Sequence, residues 1–263
     1  MLHNIILINS CSGQLKKGVK HFPKYIKQFI KPKYNIISSE HTSNNIFFNS
    51  ADSYSDLYNY KTSINIGGDH SITISTGAKS LNYYDDVKFI WIDAHPDINS
   101  YNKSVTKNFH GMSLAFLTGL DKSIKFPFIK KYLKMENLFY IGIRDVDNFE
   151  REIIDKHNIK YITTEKVNSN YQDVSNELKK FINNKPVHLS FDVDSLDPKY
   201  ISTTGTPVKN GLDIIPTKHI LDTILNEEHV VGLDIVEMNL DLDVKNRKKS
   251  LNNFRYLFSH IFN

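Results

Sequence analysis

Cysteine is almost absent, with Cys11 the only one in 263 residues. An internal disulfide is therefore impossible, and a reducing compartment is the expected setting. Long apolar runs are missing as well. No stretch approaches the roughly 20 residues that cross a bilayer, and the apolar start at residues 5–8 is too short for a signal-peptide core and has no cleavage pattern behind it. Charge of one sign is not concentrated either: the net charge is +4. The one dense basic run, residues 245–249, reads as a solvated loop rather than a nucleic-acid contact. No repeat and no Pro/Gly/Ser-rich linker divides the chain. These absences lead us to expect a soluble, cytoplasmic protein with neither nucleic acid nor membrane as partner, built as one domain over residues 1–263.

What is present is ordinary globular material, 40% hydrophobic and 24% charged, in a chain long enough to bury a sizeable core. Short β-rich apolar runs predict strands over 4–9, 34–38, 63–66, 87–92, 138–141, 160–163, 187–191 and 230–235. Most are nearly continuous in apolar character, as a parallel sheet covered on both faces requires. Amphipathic stretches between them predict helices over 17–30, 71–84, 147–157, 174–182, 216–226 and 250–260. Asn- and Lys-rich patches at 43–45 and 183–185 read as loops. This βαβα rhythm predicts a three-layer α/β/α fold around a mostly parallel sheet of about eight strands.

The chemistry lies where acidic and imidazole groups meet the strand ends. Asp93, His95 and Asp97 follow the apolar run Phe89-Ile90-Trp91-Ile92 at a spacing of two. In an extended chain that spacing sends three side chains to one side, at the carboxyl end of a strand, where open α/β sheets bind ligands. Asp192 and Asp194 repeat the device, and Gly67-Gly68-Asp69-His70 places another imidazole beyond a third strand, with glycines that allow close backbone approach. A single Asp at a strand end is most often a cap. Three segments doing the same thing point instead to a shared site. Two His and four Asp exceed what one metal needs, and oxygen-dominated ligation without thiolate suits Mn²⁺. Two such ions can hold one bridging water and lower its pKa.

Gly67-Gly68-Asp69-His70-Ser71, Asp93-Ala94-His95-Pro96-Asp97 and Ser190-Phe191-Asp192-Val193-Asp194-Ser195-Leu196-Asp197-Pro198 resemble, in order, the three metal motifs of the arginase–agmatinase (ureohydrolase) family. The resemblance runs from about Gly13 to Asn239. It implies an eight-stranded parallel sheet and two Mn²⁺ ions per subunit. His70, Asp93, Asp97 and Asp192 would hold one ion, and His95, Asp93, Asp192 and Asp194 the other, with Asp69 supporting the site by hydrogen bonds. It further implies that His110 moves protons and that Glu237 pairs with a guanidinium.

Arginase is the family branch it most resembles. Asn99, Thr106 and Asn108 fall on positions that hold the amino-acid head group of L-arginine, Asp147 on the carboxylate that reads its α-ammonium, and Thr206 on a pocket hydroxyl. Thr106 replaces a more usual Ser, Lys107 a usual Gly, and Ser100-Tyr101 a common Thr-Pro pair. The resemblance thus implies hydrolysis of L-arginine to L-ornithine and urea, with Asp97 relaying a proton to the leaving amine, in a homotrimer or higher homo-oligomer. Agmatine, guanidinobutyrate and formimidoylglutamate hydrolysis stay open, as does a non-catalytic homologue that binds metal or an amino acid.

Overall fold

Runs of β-branched and apolar residues form the strands, and their alternation decides what each face meets. The computed structural model describes residues 2–40, 45–227 and 229–263. Its strands are β1 (Asn4–Asn9), β2 (Asn35–Glu40), β3 (Ser63–Ile66), β4 (Lys88–Ile92), β5 (Leu138–Ile141), β6 (Lys160–Ile162), β7 (Val187–Asp192) and β8 (Val230–Val236). They form one eight-stranded sheet in the order β2-β1-β3-β8-β7-β4-β5-β6. Every neighbouring pair is parallel, so the expected sheet is fully rather than mostly parallel. The α-helices are α1 (Phe22–Ile26), α2 (Ile46–Leu57), α3 (Thr73–Tyr83), α4 (Ser113–Leu117), α5 (Asn148–Lys156), α6 (Thr164–Ile182), α7 (Ile214–Leu225) and α8 (Arg247–Leu257).

One face of the sheet sends Ile5, Leu7, Ile90, Ile92, Phe139, Leu189, Phe191, Leu233 and Ile235 against α1, α6, α7 and α8. The other sends Phe89, Trp91, Leu138 and Tyr140 against α3, α4 and α5. Burial on both faces is what makes these strands read as continuous apolar runs.

Several boundaries differ from expectation for local reasons. The helix expected over 17–30 is a short 3-10 turn, Lys17–His21, followed by α1 and a second 3-10 turn, Lys27–Phe29. Pro23, which lacks an N–H, sits in the first turn of α1, where none is needed. Helix α6 begins ten residues before the expected 174, with Thr163 capping its start, and breaks at Asn170 (φ −148°, ψ 57°). Asn170 Oδ1 accepts the Asp173 N–H at 3.4 Å and so caps the second half. Helix α2 was not foreseen; Asn45 starts it by accepting the Phe47 N–H at 2.9 Å. Of the loop expected at 43–45, residues 43 and 44 lie outside the described residues. The basic run at 245–249 is exposed, as expected, but enters α8 instead of forming a loop. Among the described residues no helix is long and apolar enough to cross a membrane.

Beneath the strand ends that carry the acidic motifs, the α3 face of β3, β8 and β7 is polar and wholly buried. Asp234 accepts hydrogen bonds from Asn65 Nδ2 (2.7 Å), Thr73 Oγ1 (2.7 Å) and Thr76 Oγ1 (2.5 Å), and its Oδ2 lies 3.1 Å from His188 Nε2. Lys79 is fully enclosed and donates to Ser63 Oγ at 2.8 Å. Burial opposes the charge of Asp234, yet His188 and the hydroxyl and amide donors outweigh it and hold the carboxyl at about 2. Burial pushes the Lys79 amine down to about 8 against the pull of Asp234.

Removing one partner of such a network strands the others without water. Asp234→Ala is expected to cost roughly 3–5 kcal/mol of stability, read from denaturant unfolding. Because the folded Asp234 carboxyl lies below its ordinary value, its stabilisation is present above that value and disappears as pH falls through about 2. Wild-type stability should therefore drop more steeply than that of Asp234→Ala on acidification; parallel acid profiles would contradict this assignment.

Candidate metal centre

Five neighbouring strands, β3, β8, β7, β4 and β5, bring the expected residues to one end of the sheet. His70 follows β3, Glu237 follows β8, Asp192 ends β7, Asp93 follows β4, and Asp147 follows β5 by six residues. The convergence does not come from extended chain alternating its side chains, as the spacing of two had predicted. In each motif the first Asp folds a tight turn by accepting the backbone N–H two residues on: Asp69 from Ser71 (3.0 Å), Asp93 from His95 (2.7 Å) and Asp192 from Asp194 (2.8 Å). This is the local hydrogen bond by which Asp competes with regular structure. Asp97 (φ 49°) and Glu237 (φ 68°) hold left-handed backbone, a cost of about 1–3 kcal/mol each that clusters at functional sites.

His70 Nδ1 lies 3.0 Å from Asp93 Oδ2, 3.0 Å from Asp97 Oδ2 and 3.3 Å from Asp192 Oδ2. That nitrogen is buried and makes no hydrogen bond, while Nε2 is 2.7 Å from Ser190 Oγ and the ring stacks on Trp91 at 4.1 Å. On the other side of Asp93, His95 Nδ1 lies 3.5 Å from Asp93 Oδ1 and 3.2 Å from Asp194 Oδ2. His70, Asp93 and Asp97 form one group able to hold a cation, and Asp93, His95 and Asp194 form a second. The groups share Asp93. An orphaned imidazole nitrogen facing three carboxylate oxygens is satisfied by a divalent cation, so the residues present fit a metal pair.

Burial pushes Asp192 well above the usual carboxylate range, helped by Asp194 and Asp93, and pushes Asp194 up as well. It also raises Asp97 to about 6, with the charge of Asp93 adding to it. Burial opposes charge on the imidazoles too. The surrounding carboxylates overcome it and hold His70 and His95 well above their ordinary value.

Beside this cluster, Glu237 is 2% exposed. Its Oε1 accepts the His70 N–H at 2.8 Å and lies 3.2 Å from His110 Nδ1. Burial disfavours the His110 cation, but the hydrogen bond and charge of Glu237 prevail, with Asp97 and Asp69 assisting, and hold it at about 9. Glu237 is lowered in return despite its burial. Thr206 Oγ1 donates to Asp194 Oδ2 at 2.8 Å.

A family model described as the arginase family matches residues 11–261. This chain belongs to the arginase family. It is 39% identical to an arginase of Plasmodium falciparum over 194 residues, covering 70% of this chain and 47% of that protein. To an arginase of Plasmodium berghei it is 41% identical over 189 residues, covering 68% and 53% respectively. The chain thus spans about half the length of the curated relatives it matches. The crystal structure of Entamoeba histolytica arginase in complex with L-ornithine superposes with a TM-score of 0.88 at 27% identity, covering 98% of this chain and 99% of that one.

Among the positions expected from the arginase family to hold a head group, Asn99 donates from Nδ2 to Asp147 Oδ2. Asp147 also caps α5, with Glu150 reciprocating in a capping box. Burial raises Glu150 to about 8, with the charges of Asp147 and Asp97 adding to it. Thr106 is exposed and accepts the Asn108 N–H at 3.3 Å within its own loop; no described contact joins these two to Asp147. Lys107 holds left-handed backbone at φ 58°, the conformation glycine takes without penalty. Its ammonium donates to the Tyr101 carbonyl and lies 5.0 Å from the Tyr101 ring centroid. Two departures from the family pattern are thus in contact with each other.

Asp69 bonds Gly13 N (2.9 Å), Ser71 N and Ser71 Oγ, so it shapes its turn and tethers a loop without touching the carboxylate cluster by hydrogen bond. Sequence reading assigned no role to four contributors. Trp91 donates from Nε1 to Asp93 Oδ2 at 3.0 Å, and Ser190 sits against His70. Arg144 donates to the carbonyls of Gly142, Lys209, Ser195, Asp194, Leu196 and Val208, clamping the Asp194 turn. Gln14 reaches Glu237. Trp91 and Ser190 each stand two residues before a motif Asp, a spacing that could have singled them out and was not used; Gln14 lies in a loop with no local signal.

With His70 and His95 held above their ordinary value, these imidazoles carry protons near neutrality. A divalent cation requires the unprotonated nitrogen. Titrating the cation-free protein with Mn²⁺ is expected to release protons, and affinity is expected to rise with pH. Calorimetry in two buffers of different ionisation enthalpy reads both; equal heats in the two buffers would contradict the assignment.

Proposed function

We propose that this chain is a Mn²⁺-dependent arginase that hydrolyses L-arginine to L-ornithine and urea. The observation that carries this reading is the pair of His/Asp groups sharing Asp93, set beside a buried carboxylate, Glu237, and a protonated imidazole, His110. His70, Asp93, Asp97 and Asp192 would hold one ion, and His95, Asp93, Asp192 and Asp194 the other. When bound, the Mn²⁺ pair lowers the pKa of a water molecule and offsets negative charge that develops on the substrate.

The chain's own residues supply the rest. Glu237, fixed by the His70 N–H and held ionised, offers a planar anion to the guanidinium, the match that a bidentate fork requires. Asp97, whose Oδ2 faces His70 Nδ1 at 3.0 Å, would take the proton of the attacking water and deliver it to the leaving amine. His110, protonated at neutral pH, returns the site to its starting protonation state by exchange with solvent. Asp147, six residues beyond β5 and hydrogen-bonded to Asn99, would read the α-ammonium, with Thr106, Asn108 and Thr206 contributing hydroxyl and amide groups. The L-ornithine complex of the Entamoeba relative supports an amino-acid substrate over a decarboxylated one.

Metal-loaded protein is expected to release urea from L-arginine and to lose that activity on chelation. Asp147→Ala should cut kcat/KM for arginine by about 10–100-fold, a loss of roughly 1.5–3 kcal/mol from one charge-assisted hydrogen bond, and leave any turnover of δ-guanidinovalerate, which has the carboxylate but no α-ammonium, nearly unchanged. An equal loss on both substrates would contradict the head-group assignment.

A further inference from the structure

The loop between β1 and α1 reaches across the sheet end and puts an amide on Glu237. Gln14 Nε2 lies 2.9 Å from Glu237 Oε1 and 2.6 Å from Oε2. The loop is held in place on both sides. Gly13 N donates to Asp69 Oδ2 at 2.9 Å and the His110 N–H donates to the Gly13 carbonyl at 3.3 Å, while Lys16 Nζ donates to the Gly205 carbonyl. A Cβ at Gly13 would stand 2.5 Å from Asp69 Oδ1, so the approach needs glycine. On the far side of the amide, a Cβ at Gly205 would stand 3.3 Å from Gln14 Oε1. Gln14 is therefore set between Glu237 and the 204–206 segment.

The two oxygens of Glu237 are unequally engaged. Oε1 already faces the His70 N–H, His110 Nδ1 and Gln14, whereas Oε2 has Gln14 alone. A guanidinium fork needs Oε2, and it can take that oxygen only by moving the amide aside. We propose that Gln14 is a displaceable competitor for the guanidinium seat on Glu237, an internal plug that any planar N–H ligand of that carboxylate must move aside. This rests on the reading of Glu237 as the guanidinium partner.

Displacement follows from charge. A guanidinium brings charge-assisted hydrogen bonds, roughly twice as strong as neutral ones, and so displaces an amide. A ureido group is planar but uncharged, with a carbonyl oxygen in place of one of the guanidinium's nitrogens. It meets Gln14 on equal terms per bond, and the tethered side chain is always at hand. The neutral product urea is likewise expelled when Gln14 returns to Oε2. Occupancy of the seat by Gln14 weakens every ligand by the same factor, the fraction of time the seat is open.

The test uses the full chain loaded with Mn²⁺, with L-citrulline, the neutral ureido isostere of arginine, as competitive inhibitor. Gln14→Ala and Gln14→Met, the latter keeping length without a donor, should lower the Ki of citrulline and the dissociation constant of arginine together, about three- to tenfold. A purely structural role would weaken both ligands, and an unchanged or raised Ki in both variants would overturn the proposal. Glu237→Gln separates the two levels. If it weakens arginine binding by calorimetry while the Gln14 variants bind citrulline and arginine no more tightly than wild type, the competitor role fails and the guanidinium seat stands. If Glu237→Gln leaves arginine binding unchanged, the seat itself is wrong and the proposal falls with it.

Discussion

Mutual repulsion among four buried aspartates is the constraint around which this molecule is organised. Asp93, Asp97, Asp192 and Asp194 are each no more than 6% exposed, and ligand atoms within each His/Asp group lie within 4.8 Å of one another. Two unit charges at such a separation repel by about 4 kcal/mol even at an effective dielectric of 20. Several such pairs together rival the roughly 5–15 kcal/mol by which a whole protein is stable. Protons on His70 and His95, and carboxyl groups pushed above their usual range, relieve the repulsion only in part. A pair of divalent cations relieves it directly. Burial that would be ruinous for four anions is well suited to gripping two dications.

Geometry follows from the same need. To aim carboxylates inward from separate strands without letting them swing apart, each motif spends its first Asp on a turn and fixes the backbone around it. Left-handed backbone at Asp97 and Glu237 completes the inward aim. Below, the enclosed layer of Asp234, His188, Lys79 and their hydroxyl partners locks α3 to β3, β7 and β8, three elements that end in or lead from the site. At the rim, Arg144 ties the carbonyls of Asp194, Ser195 and Leu196 to those of Gly142, Val208 and Lys209, and the loop before α1 sets Gln14 on Glu237. The scaffold is rigid where charges must be held close.

Much of this was legible in the amino-acid sequence, because strand and motif signals are local. Residues 4–9, 63–66 and 138–141 match their strands to the residue, and β2 is displaced by two at its far end. The acidic motifs stood out by their recurrence after apolar runs, and the structure brings their residues together. Their spacing of two was read as strand alternation and is instead the span of an Asp-capped turn, a distinction that depends on backbone angles. Helix α2 was missed because IFFNSADSYSDL mixes apolar and polar residues without a clean stripe. The polar layer was hidden for a related reason: Ser63, Asn65, His188 and Asp234 alternate with strongly apolar neighbours, and only the fold shows that they face one another. Gln14 had no signal at all, since its partner lies 223 residues away.

Membership of the arginase family and the arrangement at the sheet end support one proposal, that six side chains from three distant segments would enclose two cations. Crystals grown with Mn²⁺ and measured at the manganese absorption edge test it most directly. Two anomalous peaks are predicted, one bounded by His70 and Asp97, the other by His95 and Asp194, with Asp93 and Asp192 between them. A map with no peak among these residues, or with manganese bound elsewhere on the chain, would contradict the account.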